Sequence, residues 1–238
     1  MGMRIDVWSD VVCPWCYIGK RRLERALDAF PHSDAVEVVW HSFLLDPATP
    51  ADSVEPTRDH LARKYGGGAA GVQQMLDRVE ATAAEEGLIY RLGETLHVST
   101  VDAHRLLHAA YDDGGPALQG AVKEALLAAY FTRAANVSDR AVLTEVVTEA
   151  GMAPERIAEV LDSDLHARSV QDDMAQAQAY GATGVPFFVI DSKYGVSGAQ
   201  PVEVFTDVLA KAWADAHPTI QVVGSDAAEA CGPDGCAI

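Results

Sequence analysis

The sequence predicts an α/β protein in which strands from the two ends of the chain share one domain and an all-helical block is inserted between them. Three observations predict it. Strand-like runs occupy residues 3–9, 35–45 and 184–190. Between the second and third runs, apolar residues recur at helical rather than alternating spacing. Gly and Pro punctuate that middle where helices should stop and start, as at Gly87, Gly151 and Pro154.

The elements follow in order. "MRIDVWS" (3–9) alternates and carries Ile5, Val7 and Trp8, which suits a strand. The stretch after Cys16 places Leu23, Ala26, Leu27 and Phe30 on one helical face and stops at Pro31. "AVEVVWHSFLL" (35–45) is rich in β-branched and aromatic residues and reads as a second strand, so the opening unit is β-α-β. Helices are predicted over 57–65, ending at the Gly66-Gly67-Gly68 hinge, and over 71–86. A further helix should open at Ser99 and Asp102 through a capping box, with Ala103, Leu106, Leu107 and Ala110 inward. Others are predicted over 117–135, 139–150, 155–162 and 166–180. "GVPFFVI" (184–190) is a continuous apolar run, as in a central strand, and after the turn "DSKYG" Pro201 opens a last helix to about Ala216. The predicted architecture is a thioredoxin-like domain made of 1–50 and 182–216, a helical insertion over 51–181, and a tail over 217–238.

Composition narrows the function. Eighteen Lys and Arg against 35 Asp and Glu give a formal net charge of −17. That field repels phosphate backbones and anionic bilayers, so neither nucleic acid nor membrane is expected as a partner. No run approaches the ~20 apolar residues of a membrane span. Arg4, Asp6 and Asp10 break any secretory-signal pattern, and the expected location is cytoplasmic. In that compartment a close cysteine pair is more often catalytic or metal-binding than a structural cross-link.

Residues 13–16 read Cys-Pro-Trp-Cys at the first strand-to-helix junction. Unpaired N–H groups at a helix start favour a thiolate at Cys13. Pro14 suits the first helical position, and Trp15 offers an aromatic surface to a substrate. These positions predict that Cys13 attacks a substrate disulfide and that Cys16, one turn further in, resolves the mixed disulfide. A second pair, Cys231 and Cys236, brackets the turn sequence Gly-Pro-Asp-Gly in the tail. It is expected to be an auxiliary redox pair exchanging with Cys13 and Cys16; an inert disulfide or a shared zinc clamp are the alternatives. Pro186, within an otherwise apolar strand, is anomalous unless the Val185–Pro186 peptide is cis, at a strand end facing the dithiol, with the neighbouring backbone open to an extended substrate.

"DVWSDVVCPWCYIGKRRLERAL", "DAHRLLHAAY" and "GVPFFVIDSKYGVSGAQP" together resemble the cytoplasmic DsbA-like thiol-disulfide oxidoreductases of the FrnE type, from about Met3 to Lys211. The resemblance implies a thioredoxin fold with a helical insertion, a nucleophilic Cys13, a resolving Cys16 and a cis-Pro186 beside them. It also implies dithiol–disulfide exchange on protein thiols and disulfides, with no cofactor beyond the redox-active disulfides and with glutathione or another small dithiol as a candidate electron donor. The 2-hydroxychromene-2-carboxylate isomerases and kappa-class glutathione transferases have similar folds, so a glutathione-dependent isomerase or transferase is one alternative. They typically carry serine where this chain has Cys13. A zinc-clasped, non-catalytic peptide-binding module is another. With Trp15 where exported relatives often have histidine, Cys13 should be less acidic, and a reductase or isomerase is expected rather than a strong oxidant.

Pro14, Trp15, Val185, Pro186 and His104 are the candidate substrate-binding residues. Asp6 is either the proton acceptor for Cys16, like the buried acid of thioredoxin, or an exposed strand acid; Asp10, near the motif, is a second, weaker candidate. His104 and His108 share a helical face but lack a third ligand, so no metal site is expected. The pairs Asp112-Asp113 and Asp172-Asp173 are read as solvated.

Overall fold

The computed structural model describes residues 2–66 and 68–218. Strands β1 (Met3–Ser9), β2 (Val36–Ser42), β5 (Phe187–Ile190) and β6 (Tyr194–Ser197) form one sheet in the order β2-β1-β5-β6. The β1–β2 pair is parallel and the other two are antiparallel. Helix α1 (Pro14–Asp28) makes the crossover between β1 and β2. Together with α8 (Val202–Ala216) it covers one face, where Met3, Ile5 and Val7 meet Leu23, Ala26, Phe205 and Leu209. The strand period of two sends Trp8 to the other face, against Ala177, Phe187 and Val189.

Between the two halves of the sheet lie α2 (Thr57–Tyr65), α3 (Gly68–Glu85), α4 (Val101–Phe131), α5 (Arg140–Glu149), α6 (Pro154–Leu161) and α7 (Ala167–Ala179). A small antiparallel pair, β3 (Glu55–Pro56) with β4 (Leu96–His97), also lies there and was not expected. The helical core takes in Val11, Tyr17 and Ile18 beside Leu106, Leu126 and Phe131, so the start of α1 is wedged between the sheet and the helices.

Three differences from the sequence reading have local causes. The apolar run 35–45 is strand only to Ser42, because Leu44 and Leu45 turn their N–H groups to Met174 Sδ and Asp10 Oδ2 instead of a ladder. The two helices expected around residues 101–113 and 117–135 are nearly continuous. They meet at a kink where Gly114 and Gly115 leave helical geometry and Pro116 restarts it. The capping box at Ser99 does not form: α4 begins after Thr100 without a side-chain cap, and Asp102 instead accepts from Arg105 Nη1 at 2.7 Å.

Edge strand β2 is closed by side chains. The Gln119 amide of α4 bonds both the N–H and the C=O of Trp40, at 2.9 and 2.8 Å, and Asp173 of α7 takes the Ser42 N–H at 2.7 Å. These contacts occupy main-chain groups that would otherwise template another strand.

Candidate active site

Cys13 is the residue preceding α1, in extended geometry, and Pro14 takes the first helical position. The Cys16 N–H donates to the Cys13 carbonyl at 3.0 Å, and Tyr90 Oη donates to the Pro14 carbonyl at 2.8 Å, pinning the turn from the helical block. The Val185–Pro186 peptide is cis. The Cys13 thiol lies 3.5 Å from the Val185 carbonyl, to which it donates. Gly19 eases this approach: a Cβ there would sit 3.0 Å from Pro186 Cγ and 3.2 Å from Phe188 Cζ, tighter than ordinary packing, so those side chains would have to give way.

Both cysteines are free thiols, exposed by only 2% and 1%. They face different surroundings. Cys13 lies on the wall of a cavity of about 440 Å³, with Pro14, Trp15, Leu45, Met75 and Val185. Cys16 is not on that wall. Its neighbours are Ser9, the backbone at Asp10 and the ammonium of Lys123, a fully buried residue of α4. Trp15, 42% exposed, stands at the cavity rim.

The ionisations of the two thiols depend on each other. The Cys13 thiol is pushed well up, first by the neighbouring Cys16 sulfur and then by burial. Burial also opposes ionisation of Cys16, but the Cys13 hydrogen bond and the charge of Lys123 outweigh it and hold Cys16 below the ordinary thiol range. The first proton therefore leaves the pair easily and the second does not. The helix start favours a thiolate at Cys13; the buried cation adds its own pull on the neighbouring Cys16. Burial brings Lys123 down to about 8, against the attraction of Cys16 and Asp10. Its Nζ lies 3.5 Å from the Ser9 carbonyl and 5.5 Å from the centre of the Trp40 ring.

A model of the DSBA-like thioredoxin domain matches residues 4–210. The chain belongs to the DSBA-like thioredoxin domain family. A probable DsbA oxidoreductase from Streptomyces coelicolor is 46% identical, with 99% of each chain covered and a TM-score of 0.85. The uncharacterized protein YwbO of Bacillus subtilis is 26% identical over 214 residues, 86% of this chain and 94% of its own. A cytosolic disulfide reductase DsbM from Pseudomonas aeruginosa, solved with GSH, is 18% identical, covers 87% and 98% of the two chains and has a TM-score of 0.57, a likeness of fold.

Within this DSBA-like domain Cys13, Pro14, Trp15 and Val185 come together at one cavity, and Pro186 lies behind them against α1. Asp6 does not join them. It stands on the sheet face opposite α1, bonded to Arg4 Nε at 2.8 Å and His41 Nε2 at 2.7 Å, so it is neither a proton acceptor for Cys16 nor a free exposed acid. The buried acid near the cysteines is Asp10. Its carboxylate is kept ionised, against burial, by His104 and the Leu45 N–H. His104 is fully buried behind Asp10, 3.4 Å away, and does not reach the cavity, which corrects its placement among substrate-binding residues. Asp173 is also corrected: it is buried and bonded to His41, His108 and the Ser42 N–H. Cys231 and Cys236 lie outside the described residues.

The sequence reading missed three groups. Lys123 looked like one charged residue of a helical face. Tyr90 carried no local signal. Asp46, His60 and His97, on the same cavity wall as Cys13, are separated by long stretches of chain, and they alone among the described residues could jointly hold a metal ion.

Proposed function

We propose that this protein is a thiol-disulfide oxidoreductase of the FrnE type that reduces or isomerises disulfides of protein substrates in the cytoplasm. The observation that carries the reading is the division of labour between the sulfurs: Cys13 faces the cavity and Cys16 faces Lys123. A substrate disulfide entering past Trp15 meets Cys13 first. As the Cys13 proton passes to Cys16, the Cys13 sulfur attacks one substrate sulfur, forming a mixed disulfide and releasing the other as a thiolate. Cys16 then loses that proton to solvent, and the Lys123 ammonium stabilises the thiolate that results. Cys16 attacks the Cys13 sulfur, the second substrate thiolate leaves, and a Cys13–Cys16 disulfide remains. Two electrons have passed to the substrate, and an external thiol such as glutathione would restore the dithiol. Exposed Trp15, Leu45 and Tyr65 around the cavity give a protein substrate an apolar surface to dock on. No described helix is long and apolar enough to cross a membrane. Exchange between this site and Cys231–Cys236 belongs to the same proposal.

Trapping tests it. Mixed with a disulfide-containing protein such as insulin, Cys16→Ser should accumulate a covalent complex through Cys13, while Cys13→Ser should accumulate none. Equal insulin reduction by wild type and both variants would overturn the reading.

A further inference from the structure

The small β3–β4 pair does more than close a loop. It sets Glu55 opposite His97, and α2 starts at Thr57 directly after β3. The first turn of α2 then carries His60 over His97, with ring centroids 3.6 Å apart and planes within 14°. From the segment after β2, Asp46 brings its Oδ2 to 3.3 Å from His97 Nε2. One donor atom from each of the three residues lies within 4.8 Å of the other two.

The surroundings orient the carboxylate donor. Asp46 Oδ1 accepts the Ala48 N–H at 3.3 Å, leaving Oδ2 toward the histidines. Glu55 Oε2 lies 3.9 Å from His60 Nδ1, beyond hydrogen-bond reach, with its carboxylate held by Arg63. Thr49 Oγ1 is also 3.0 Å from His97 Nε2, a contact that nitrogen would exchange for the ion.

We propose that Asp46, His60 and His97 bind one divalent transition-metal ion of the zinc class, with an open coordination position toward the cavity that Cys13 also lines. Two imidazoles and a carboxylate are borderline donors, suited to zinc(II) or cobalt(II) rather than to calcium or magnesium, which take oxygen cages. With metal–ligand bonds of ~2.0–2.2 Å, donors of a tetrahedral site stand about 3.4 Å apart. The Asp46–His97 spacing already meets this; the stacked His60 ring would have to turn so that both imidazoles point a nitrogen at one ion. Three protein ligands on a cavity wall describe an open site rather than a closed structural one. It uses no cysteine, so it is distinct from a zinc clamp on the cysteine pairs, and it stands whether or not the redox reading does.

The test isolates the nitrogen and oxygen ligands. The full chain carrying Cys13→Ser, Cys16→Ser, Cys231→Ser and Cys236→Ser is titrated with zinc(II) by calorimetry and with cobalt(II) by visible absorption. One equivalent should bind, with cobalt ligand-field bands and no sulfur charge-transfer band. Adding His60→Gln or His97→Gln should weaken binding by at least about a hundredfold, no less than loss of an outer-shell partner. Absence of saturable binding, or binding unchanged by both histidine substitutions, overturns the proposal. If circular dichroism shows that the cysteine-free chain does not fold, the same comparison is made in the reduced wild-type chain. There the double histidine variant should bind one equivalent fewer, and equal stoichiometry would overturn the site.

Discussion

Lys123 and the cysteines show how one buried charge can set the chemistry of a pair. An ammonium taken out of water is costly, and burial moves Lys123 down to about 8. What keeps it charged at neutral pH is the negative charge of Cys16 and Asp10, and the attraction is mutual. Replacing it by methionine, similar in length and apolar, should raise the first ionisation of the dithiol and lower the thiolate fraction at neutral pH. The thiolate absorbance near 240 nm followed against pH reads this directly. A Lys123→Met profile that overlays wild type would show that Lys123 only fills space. His104 acts one step further back, as a neutral ring behind Asp10: burial lowers it, and its Nε2 serves the Asp10 carboxylate.

At the scale of elements, the junctions matter more than the elements themselves. α1 is joined to α4 by a charged cluster in which Lys20 and Arg21 share Glu124, and to α3 and its end by Arg22 and Arg25 on Glu86. α4 is in turn joined to β2 by Gln119, whose amide replaces the missing neighbour strand at Trp40. Gln119→Leu keeps the volume but leaves a buried N–H and a buried C=O unpaired, which should cost roughly 1–3 kcal/mol for each group left without a partner. Urea unfolding would measure it as a lower midpoint at unchanged slope. A midpoint equal to wild type would mean that the edge of β2 finds another partner. Of the charged links, only that from Arg25, 60% exposed, is left to solvent screening and should matter little, since Lys20, Arg22 and Glu86 are largely buried.

Across the whole molecule, α7 is fastened to the sheet by an acid–imidazole network under Trp8. The His41 ring stacks on Trp8 at 4.5 Å and sits between Asp173 Oδ1 at 2.8 Å and Asp6 Oδ1 at 2.7 Å. Burial opposes its charge, but the two carboxylates prevail and raise it from 6.5 to about 9. A group whose folded value is raised stabilises the fold fully below its unfolded value and loses that contribution as pH climbs through the folded one. Stability should therefore fall between pH 6.5 and 9, by up to about 3 kcal/mol. The depressed carboxylates Asp6 and Asp173 act in the opposite window and weaken the fold as pH drops below about 4. Urea midpoints from pH 6 to 10 test this: the alkaline decline should be present in wild type and nearly absent in His41→Gln. The same slope in both proteins would place the titrating group elsewhere.

By itself, the sequence determined what depends on neighbours along the chain. The bounds of β1 and α2 and the starts of α6 at Pro154 and α1 at Pro14 follow from alternation, helical period and proline chemistry, all local. Cys13 and Cys16 were legible as a pair because three residues span one helical turn. Only the tertiary structure decided which face each element turns to which partner. Alternation put Asp6 and Ile5 on opposite faces of β1, yet it could not say that α1 would cover the side of Ile5. Helical spacing grouped His104 with His108, but packing sent one to Asp10 and the other to Ser42 and Asp173. Lys123 reaches Cys16, and His60 reaches His97, across gaps in sequence that no periodicity spans. Such contacts depend on how the helical block closes over the sheet, and that closure comes from burial of apolar surface shared by the whole chain.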